Sequence, residues 1–324
     1  MIWRACWCKK GEGLEQVKRV AITGATGVVG MALINKCIEN GMEVVVLVNP
    51  ESRRLDRIPE DSHVRVIKCG LSDFATADVE TIGSADVMFH LAWSGTFGDS
   101  RNDVALQEKN CEYALDAVRL AHRLGCSVFV GAGSQAEYGR VSGVLTADTP
   151  CNPENEYGRA KLRTSSATRN LCHQLGIRHI WPRILSIYGP YDGEKTMVMT
   201  LIRTLLEGKK PALTAGEQMW DFLYASDVAD AFMALAEHGH DGCIYPIGSG
   251  VARPLREYIE IIRDQIDPVL PLGFGEVPYS DKQVMHLCAD ISALTRDTGF
   301  LPKVDFSEGA RRTIEYVRNS IIRG

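Results

Sequence analysis

The sequence predicts an α/β fold built on a doubly wound parallel sheet. Residues 44–48 form a short β-branched run without polar interruption, which is typical of a strand buried on both faces in a parallel sheet. The segment before them has apolar residues at helical spacing, and Gly41 ends that pattern. The apolar positions of this predicted helix are Val29, Ala32, Leu33 and Cys37. A β-branched strand at residues 20–23 precedes the helix, so the order is strand, helix and strand, as in a βαβ unit.

Three glycines join the first predicted strand to the helix, at Gly24, Gly27 and Gly30. Glycine permits the positive φ and the close backbone approach of a tight turn, and the N–H groups and dipole of a helix N-terminus attract a pyrophosphate. The turn therefore predicts a Rossmann-type dinucleotide site, although a tight β–α corner without a ligand would use the same glycines. The residues that we assign to this turn are Gly24, Thr26, Gly27, Val28, Val29 and Gly30.

The end of the second predicted strand bears on the choice of dinucleotide. An NAD site usually has an acidic residue here to accept hydrogen bonds from the ribose hydroxyls, whereas a 2′-phosphate favours arginine. The strand ends instead at Asn49, and Arg53 and Arg54 come shortly after it. We expect these three residues to contact the cofactor, with NADP favoured and NAD as the alternative.

Composition excludes several classes of partner. The 324 residues are long enough for two lobes, 24% are charged, and the formal net charge is −5. We therefore expect no nucleic-acid partner and no membrane surface, because no basic excess is present and no apolar run reaches membrane-spanning length.

The ten cysteines include no C-x-x-C pair and no zinc-finger spacing. We expect reduced thiols in a cytoplasmic protein and no metal site. Residues 1–18 are expected to be a poorly ordered extension, because their apolar stretch is too short and too interrupted for a signal peptide. A metal or redox site at Cys6 and Cys8 is the alternative for that segment.

A serine, a tyrosine and a lysine are the candidate catalytic residues. Ser134 comes after the predicted strand 127–131, at the carboxyl end where parallel sheets bind their ligands. Tyr157 and Lys161 are four residues apart on a predicted helix and so share one face. A nearby ammonium would lower the pKa of the phenol toward the neutral range.

The same four-residue spacing occurs once more, at Tyr191 and Lys195. That copy comes directly after Pro190 and contains Gly193, so a loop is predicted there, in which the spacing does not align the two side chains. The catalytic assignment therefore stays with Tyr157 and Lys161, against the alternative of a structural tyrosine.

With these motifs the chain resembles the extended short-chain dehydrogenase/reductases of the NAD-dependent epimerase/dehydratase family. Further segments carry the resemblance: residues 182–190, 216–229, 245–250, 289–292 and 298–302. The resemblance implies a Rossmann-type cofactor domain at 19–190, to which 219–250 and about 285–290 return. It implies a smaller, mainly C-terminal substrate lobe from 191–218 and 251–324. A homodimer through the helices 102–124 and 157–175 is also implied.

The resemblance implies functional residues as well. Ser134 would bond the substrate oxygen, and Lys161 would bond the nicotinamide ribose. Predicted strands at 63–69 and 86–92 would lead to the adenine and ribose contacts. The further cofactor residues implied are Gly70, Leu71, Leu91, Ala92, Trp93, Asn110, Tyr157, Lys161 and Ile184. The substrate residues implied are Gln135, Ser186 and Trp220.

Departures from the family pattern narrow the predicted reaction. Family dehydratases have an Asp-Glu pair after the serine, and here Gln135 and Ala136 can serve as neither acid nor base. Trp220 stands where many nucleotide-sugar members have an arginine on the diphosphate. The segments 134–139 and 219–224 resemble CDP-linked deoxysugar 4-ketoreductases of the abequose-synthase type. We expect an NAD(P)-dependent 4-ketoreductase of a nucleotide-linked deoxysugar, with a nucleotide-sugar 4-epimerase or a non-catalytic dinucleotide sensor or scaffold as alternatives.

Overall fold

The computed structural model describes residues 17–323 of the chain. Its strands are β1 (Arg19–Thr23), β2 (Glu43–Val48), β3 (Val64–Lys68), β4 (Val87–His90), β5 (Val128–Gly131), β6 (Gly133–Ser134), β7 (Arg178–Ile184), β8 (Ser186–Tyr188), β9 (Ala212–Leu213), β10 (Met219–Trp220), β11 (Phe222–Tyr224), β12 (Cys243–Ile247), β13 (Arg253–Pro254), β14 (Gly273–Phe274) and β15 (His286–Leu287). Its α-helices are α1 (Val28–Glu39), α2 (Val79–Ile82), α3 (Val104–Arg123), α4 (Glu156–Leu175), α5 (Met197–Leu206), α6 (Ala225–His238), α7 (Leu255–Ile266), α8 (Ser292–Thr298) and α9 (Phe306–Arg323). Most of the predicted 1–18 extension, with Cys6 and Cys8, lies outside the described residues.

The central sheet has the strand order β3-β2-β1-β4-β5-β7-β12, and all of these neighbours pair in parallel. The chain runs outward in one direction through β2 and β3 and in the other direction from β4 onward. The order therefore reverses between β1 and β4, which creates a crevice at their carboxyl ends. The predicted doubly wound, Rossmann-type fold is confirmed.

Alternating residues of the strands pack on opposite faces of the sheet. Val20 and Ile22 of β1 belong to a core with α1 and α6, whereas Ala21 between them belongs to a core with α3 and α4. Both faces are thus covered by helices, which explains why these strands are continuous apolar runs rather than alternating ones.

The two long helices beside the sheet begin at side-chain caps. The Asp103 carboxylate accepts a hydrogen bond from Leu106 N at 3.0 Å, and the Asn155 side chain accepts one from Gly158 N at 2.8 Å. Each cap satisfies an otherwise unpaired N–H group and so sets the first residue of α3 and of α4.

A third core lies among α5, α7 and α9, where Ile202, Ile259 and Ile314 pack together. Asp221, between β10 and β11, is a fully buried carboxylate that joins segments distant in sequence. Asp221 accepts hydrogen bonds from the backbone N–H groups of Ser249, Gly250 and Ala289, at 2.7, 3.1 and 3.0 Å. One side chain therefore holds the loop after β12 and the segment after β15 together.

One cysteine of the described residues departs from the expectation that all the thiols are reduced. Seven cysteines of the described residues are free thiols, whereas Cys243 is disulfide-bonded. The free cysteines are Cys37, Cys69, Cys111, Cys126, Cys151, Cys172 and Cys288. Between residues 17 and 323, helices long and apolar enough to cross a bilayer are absent, as are clusters of three potential metal ligands.

Candidate active site

The glycine turn between β1 and α1 is packed so tightly that side chains would not fit. Gly24 has φ +71°, and a Cβ atom added to it would lie 2.7 Å from the Ala92 nitrogen. A Cβ atom on Gly30 would lie 2.6 Å from the Ala25 Cα atom. Gly27 precedes α1 and provides no side-chain cap. The first N–H groups of α1 therefore remain available to an anion, as a dinucleotide pyrophosphate requires.

A cleft of about 360 Å³ opens at this turn, at the crevice between β1 and β4. Seven residues of the predicted cofactor set line it: Gly24, Thr26, Asn49, Gly70, Leu71, Ala92 and Trp93. Ser52 and Tyr113 also line it and were not predicted. The residues present fit a dinucleotide, because the glycine turn, the uncapped N-terminus of α1 and the cleft lie at the same place.

Other members of the predicted cofactor set lie outside the lining of this cleft. Arg53 and Arg54 are exposed residues beyond the end of β2. Val28 lines a separate, smaller cleft together with Tyr191. The remaining predicted cofactor residues that do not line the cleft are Gly27, Val29, Gly30, Leu91, Asn110, Tyr157, Lys161 and Ile184.

The structure brings Ser134, Tyr157 and Lys161 together, although they come from two elements. Ser134 ends β6, which pairs with β7 beside Ile184. A Cβ atom on Gly158 would lie 2.3 Å from the Ala136 carbonyl oxygen, so glycine is what lets α4 approach the Ser134 turn this closely. The Ser134 side chain lies close enough to the Tyr157 phenol to lower its pKa.

The pKa of Tyr157 is raised, contrary to the expectation that Lys161 lowers it. Burial is the main cause, and the Glu137 charge adds to it, while the hydrogen bond to Ser134 and the positive charge of Arg101 act in the opposite direction. Lys161 is fully desolvated, and burial lowers its pKa to about 7, against an opposing effect of Glu137 and Cys111. Burial therefore weakens the positive charge of Lys161, which the sequence alone could not show.

Lys161 makes its closest contacts with groups other than the Tyr157 ring. Its amino group donates to the Ala132 carbonyl oxygen at 2.7 Å and lies 3.7 Å from the centre of the Trp93 ring. The distance from Nζ to the centre of the Tyr157 ring is 5.9 Å. The indole of Trp93 meets the Tyr157 ring edge to face, with centroids 6.1 Å apart.

A buried glutamine fixes the loop that carries Trp93. Gln107 accepts a hydrogen bond from Trp93 Nε1 at 2.8 Å and donates to the carbonyl oxygens of Gly95 and Ser100 at 2.9 and 3.0 Å. Gln107 was not predicted from the sequence. Its signal was a second amide three residues before Asn110, on the same face of the helix.

Asn110 performs a related role one turn further along α3. It accepts a hydrogen bond from Ser94 N and donates to Ser94 O, both at 2.9 Å. On α3, Gln107 and Asn110 are buried, whereas Cys111 and Leu115 are half-buried. The helix turns these amides inward because the loop after β4 needs hydrogen-bond partners.

Glu137 is a buried carboxylate beside the catalytic set, and sequence reasoning assigned no role to it. It forms an ion pair with Arg183 at 2.7 Å, and both side chains are at most 3% exposed. It also accepts hydrogen bonds from Ser134 N at 2.8 Å and from Trp181 Nε1 at 3.0 Å. With these partners Glu137 holds the Ser134 turn in place and is not free to act as an acid or base.

On the substrate side, two of the three predicted residues touch. Trp220 Nε1 donates to Ser186 Oγ at 2.8 Å, and Gln135 lies half-buried directly after Ser134. Tyr191 has φ +67° and precedes α5, so the second tyrosine–lysine pair lies in a loop, as predicted.

The chain matches a known protein family over most of its length. The model of the NAD dependent epimerase/dehydratase family matches residues 20–248. The dTDP-4-dehydro-6-deoxyglucose reductase of Escherichia coli is 25% identical over 316 residues, which cover 92% of this chain and 97% of that protein.

Two solved structures share the fold. The UDP-N-acetylglucosamine 4-epimerase from Methanobrevibacter ruminantium M1, in complex with UDP-N-acetylmuramic acid, has a TM-score of 0.85 and 23% identity over 94% of this chain and 99% of that chain. The UDP-glucose 4-epimerase of Thermus thermophilus, in complex with NAD, has a TM-score of 0.81 and 21% identity over 93% of this chain and 99% of that chain.

Proposed function

Since the chain belongs to the NAD-dependent epimerase/dehydratase family, we propose that it reduces the 4-keto group of a nucleotide-linked deoxysugar. It is an enzyme of the extended short-chain dehydrogenase/reductase type. The observation that carries the proposal is the set of Ser134, Tyr157 and Lys161, assembled near the cleft at the glycine turn.

The side chains of this site support carbonyl chemistry. A bound nicotinamide cofactor supplies the hydride for the carbonyl carbon. The Tyr157 phenol then protonates the carbonyl oxygen, and the Ser134 hydroxyl, which lies beside the phenol, bonds that oxygen and orients it. The raised pKa of Tyr157 keeps the phenol protonated, which suits a proton donor in the reductive direction.

The turn after Ser134 disfavours dehydration. Gln135 and Ala136 carry no titratable group. The next residue, Glu137, is acidic, but it is fully buried and paired with Arg183. An acid and a base for the loss of water are therefore lacking at this turn.

Nucleotide-sugar 4-epimerisation is the second candidate. The two solved structures compared above are both described as 4-epimerases. An epimerase must hold the diphosphate while the keto sugar rotates. Trp220, which takes the place of an arginine anchor, is bonded to Ser186 instead, and this arrangement favours the reductase.

The deciding assay mixes the protein with NADPH or NADH and a panel of 4-keto-6-deoxy sugar nucleotides that differ in the nucleotide. Loss of cofactor absorbance in proportion to product supports the reductase. A parallel reaction without added reductant searches for the 4-epimer of nucleotide sugars. Epimer formed with no net cofactor change, and no ketone reduced, would establish the second candidate instead.

We further propose NADP as the preferred cofactor. Asn49 and Ser52 line the cleft at the end of β2, where NAD sites usually have an acid, and the exposed side chains of Arg53 and Arg54 are close in sequence. A charge-assisted contact contributes about 1.5–3 kcal/mol, which corresponds to roughly a ten- to hundredfold preference. Titration of both dinucleotides into the wild type and an Arg53→Ala/Arg54→Ala variant tests this. Equal or tighter NAD binding that the variant leaves unchanged would contradict it.

A further inference from the structure

We propose that Tyr113 stacks on the adenine of the bound dinucleotide, and that the cleft holds this base by stacking instead of by a hydrogen bond from its amino group to an acidic side chain. The proposal rests on the proposed function only in that a dinucleotide occupies the cleft, and it does not depend on which sugar is reduced. Tyr113 belongs to no motif of the sequence, and its place in the lining is seen only in the folded chain.

The adenine has one end of the cleft available to it. The pyrophosphate is expected at the glycine turn, and the nicotinamide must reach Tyr157 for hydride transfer. Dinucleotide folds bind the adenosine ribose at the end of the second strand. Asn49 lines the cleft there, and a Cβ atom on Gly70 would lie 4.0 Å from the Asn49 Cα atom. The adenine is therefore expected beside Gly70 and Leu71.

The course of α3 brings Tyr113 toward this end of the cleft. Asn110, in the first half of the helix, holds the loop after β4. At the other end of the helix, Arg123 donates to the Ala77 carbonyl oxygen at 3.0 Å, directly after the 3₁₀ helix that begins at Leu71. Tyr113 comes one turn after Asn110, between these two anchor points, and it lines the cleft together with Leu71.

Tyr113 is the aromatic ring that this end of the cleft offers to a base. It is half-buried, whereas Phe74, which also lines the cleft, is only 1% exposed. The amino group of Lys109, one turn earlier on α3, lies 5.3 Å from the centre of the Tyr113 ring and pairs with Glu112 at 2.6 Å. These contacts within the helix restrain the ring before a ligand arrives, so less conformational entropy is lost when a base stacks on it.

The residues that line the cleft include no charged side chain. Asp73, two residues after Leu71, lies outside this lining, and its carboxylate already accepts hydrogen bonds from Gly70 N at 2.8 Å and from Ser72 Oγ at 3.1 Å. The polar side chains of the lining are amides and hydroxyls, which can donate as well as accept. Such groups do not require an amino group on the base, and stacking on Tyr113 is the contact that remains.

The test measures dinucleotide affinity of the full chain by isothermal titration calorimetry and needs no sugar substrate. NADPH or NADH, whichever binds the wild type more tightly, is compared with its hypoxanthine counterpart, in which a carbonyl oxygen replaces the amino group of adenine. Tyr113→Ala removes the ring, and Tyr113→Phe keeps it. Leu115→Ala is the control, because Leu115 is a half-buried residue of the same helix that does not line the cleft.

We expect Tyr113→Ala to weaken dinucleotide binding by roughly ten- to hundredfold, the usual scale for removing a ring that stacks on a base. Tyr113→Phe and Leu115→Ala should keep the wild-type affinity. The wild type should bind the hypoxanthine dinucleotide about as tightly as the adenine one. An acid on the amino group would instead lose a charge-assisted hydrogen bond, which corresponds to about tenfold or more in affinity.

ADP-ribose, with a 2′-phosphate if NADPH is the tighter ligand, shows which half of the dinucleotide Tyr113 contacts, because it has the adenine and lacks the nicotinamide. Tyr113→Ala should weaken its binding by the same factor as for the dinucleotide. Unchanged dinucleotide affinity in Tyr113→Ala, or a loss that vanishes with ADP-ribose, would overturn the stacking contact. A hypoxanthine dinucleotide that binds the wild type about tenfold more weakly than the adenine one would overturn recognition without an acid.

These measurements also keep the base site and the reaction apart. If the affinities change as expected but no nucleotide sugar is turned over in the panel assay, the proposed function fails while the role of Tyr113 stands. A wild type that binds no dinucleotide would overturn the base site itself. Should Tyr113→Ala not fold, Tyr113→Leu, which keeps an apolar side chain without a flat ring, takes its place with the same expected loss.

Discussion

Tyr157 is the residue on which the proposed chemistry depends. Its phenol is the only group of the Ser134, Tyr157 and Lys161 set whose pKa is raised by burial, so it retains its proton until the carbonyl oxygen takes it. Tyr157→Phe removes the proton and keeps the ring that packs against Trp93. We expect cofactor binding to be retained and turnover to fall at least ~100-fold, the usual scale for removing a positioned acid–base group. Dinucleotide titration and steady-state rates measure the two effects.

The matched control is Tyr191→Phe. Tyr191 has the same four-residue spacing to a lysine, but it lies in a loop and its ring packs against Tyr316, 5.1 Å away between centroids. We expect this variant to keep wild-type rates. Normal turnover in Tyr157→Phe together with an inactive Tyr191→Phe would show that the catalytic tyrosine had been assigned to the wrong pair.

At the residue scale, the sequence indicates a side chain best when its role depends on local spacing. The glycine turn and the tyrosine–lysine pair were predicted in this way, because a turn and a single helical face are short-range features. Arg101, Gln107 and Glu137 were missed because their contacts are with residues in other elements. The effect of Lys161 was misjudged for the same reason, since burial lowers its pKa and the sequence does not contain that information.

Among the elements, the contact between α4 and β7 contains a pH-sensitive group. His179 of β7 is buried, stacks on Phe129 and Trp181, and its Nε2 lies 2.9 Å from Thr168 Oγ1 on α4. Thr168 donates its own proton to Thr164 O at 2.7 Å, so His179 Nε2 is the donor in that contact. The Nδ1 atom is then unprotonated and has no partner among the described residues.

Burial lowers the pKa of His179 to about 3. The unfolded chain, with an ordinary histidine pKa of about 6.5, binds a proton below that pH while the native chain does not. The stability that His179 contributes is therefore fully present above about pH 6.5 and is lost as the pH falls toward about 3. His179→Phe should make the dependence of the unfolding free energy on pH between about 6.5 and 4 shallower by up to about 1.4 kcal/mol per pH unit.

Urea unfolding at several pH values measures this slope. His173→Gln is the control, because His173 is exposed near the end of the same helix, α4. We expect the control to keep the wild-type slope. At about pH 7.5 His179→Phe should itself cost about 1 kcal/mol, because it loses the hydrogen bond to Thr168. A slope in His179→Phe equal to that of the wild type would contradict the assignment.

The elements themselves were largely predictable, and the differences have physical causes. The helix expected at 102–124 spans Val104–Arg123, because the Asp103 side chain caps it there. The strand expected at 63–69 spans Val64–Lys68, which is the stretch that pairs with β2. Apolar periodicity locates an element, whereas its ends depend on caps and on pairing partners.

At the scale of the whole molecule, the doubly wound sheet was predictable because each βαβ unit is a local pattern. The short strands outside the central sheet, such as β10 between β13 and β15, were not, because two-residue strands exist only through pairing across long sequence distances. The resemblance to a known family, rather than periodicity, indicated that the segments beyond residue 190 alternate between two lobes.

The predicted homodimer is the remaining question at this scale. α3 and α4 pack side by side within one chain, where Cys111 Sγ lies 3.6 Å from the Ala160 carbonyl oxygen. In a dimer with a two-fold axis, α3 and α4 of the second copy would pack on the outer faces of these helices and form a four-helix bundle. Val104 at the start of α3 is 50% exposed, and Ser166 lies on the exposed face of α4. We expect light scattering at micromolar protein to give twice the chain mass of 35.7 kDa.

A substitution on the proposed interface makes this prediction specific. Ser166→Arg would place a long, charged side chain from each copy near the two-fold axis only if α4 meets its symmetry mate there, and we expect it to shift the mass toward the monomer. The control is Ser320→Arg, which makes the same change in charge and size on the exposed surface of α9, outside the proposed interface. We expect this variant to remain a dimer. A monomer mass for the wild type would count against the dimer. A dimer that Ser166→Arg leaves unchanged would place the interface on another face, because an added arginine on a packed helix surface costs desolvation that an exposed one does not.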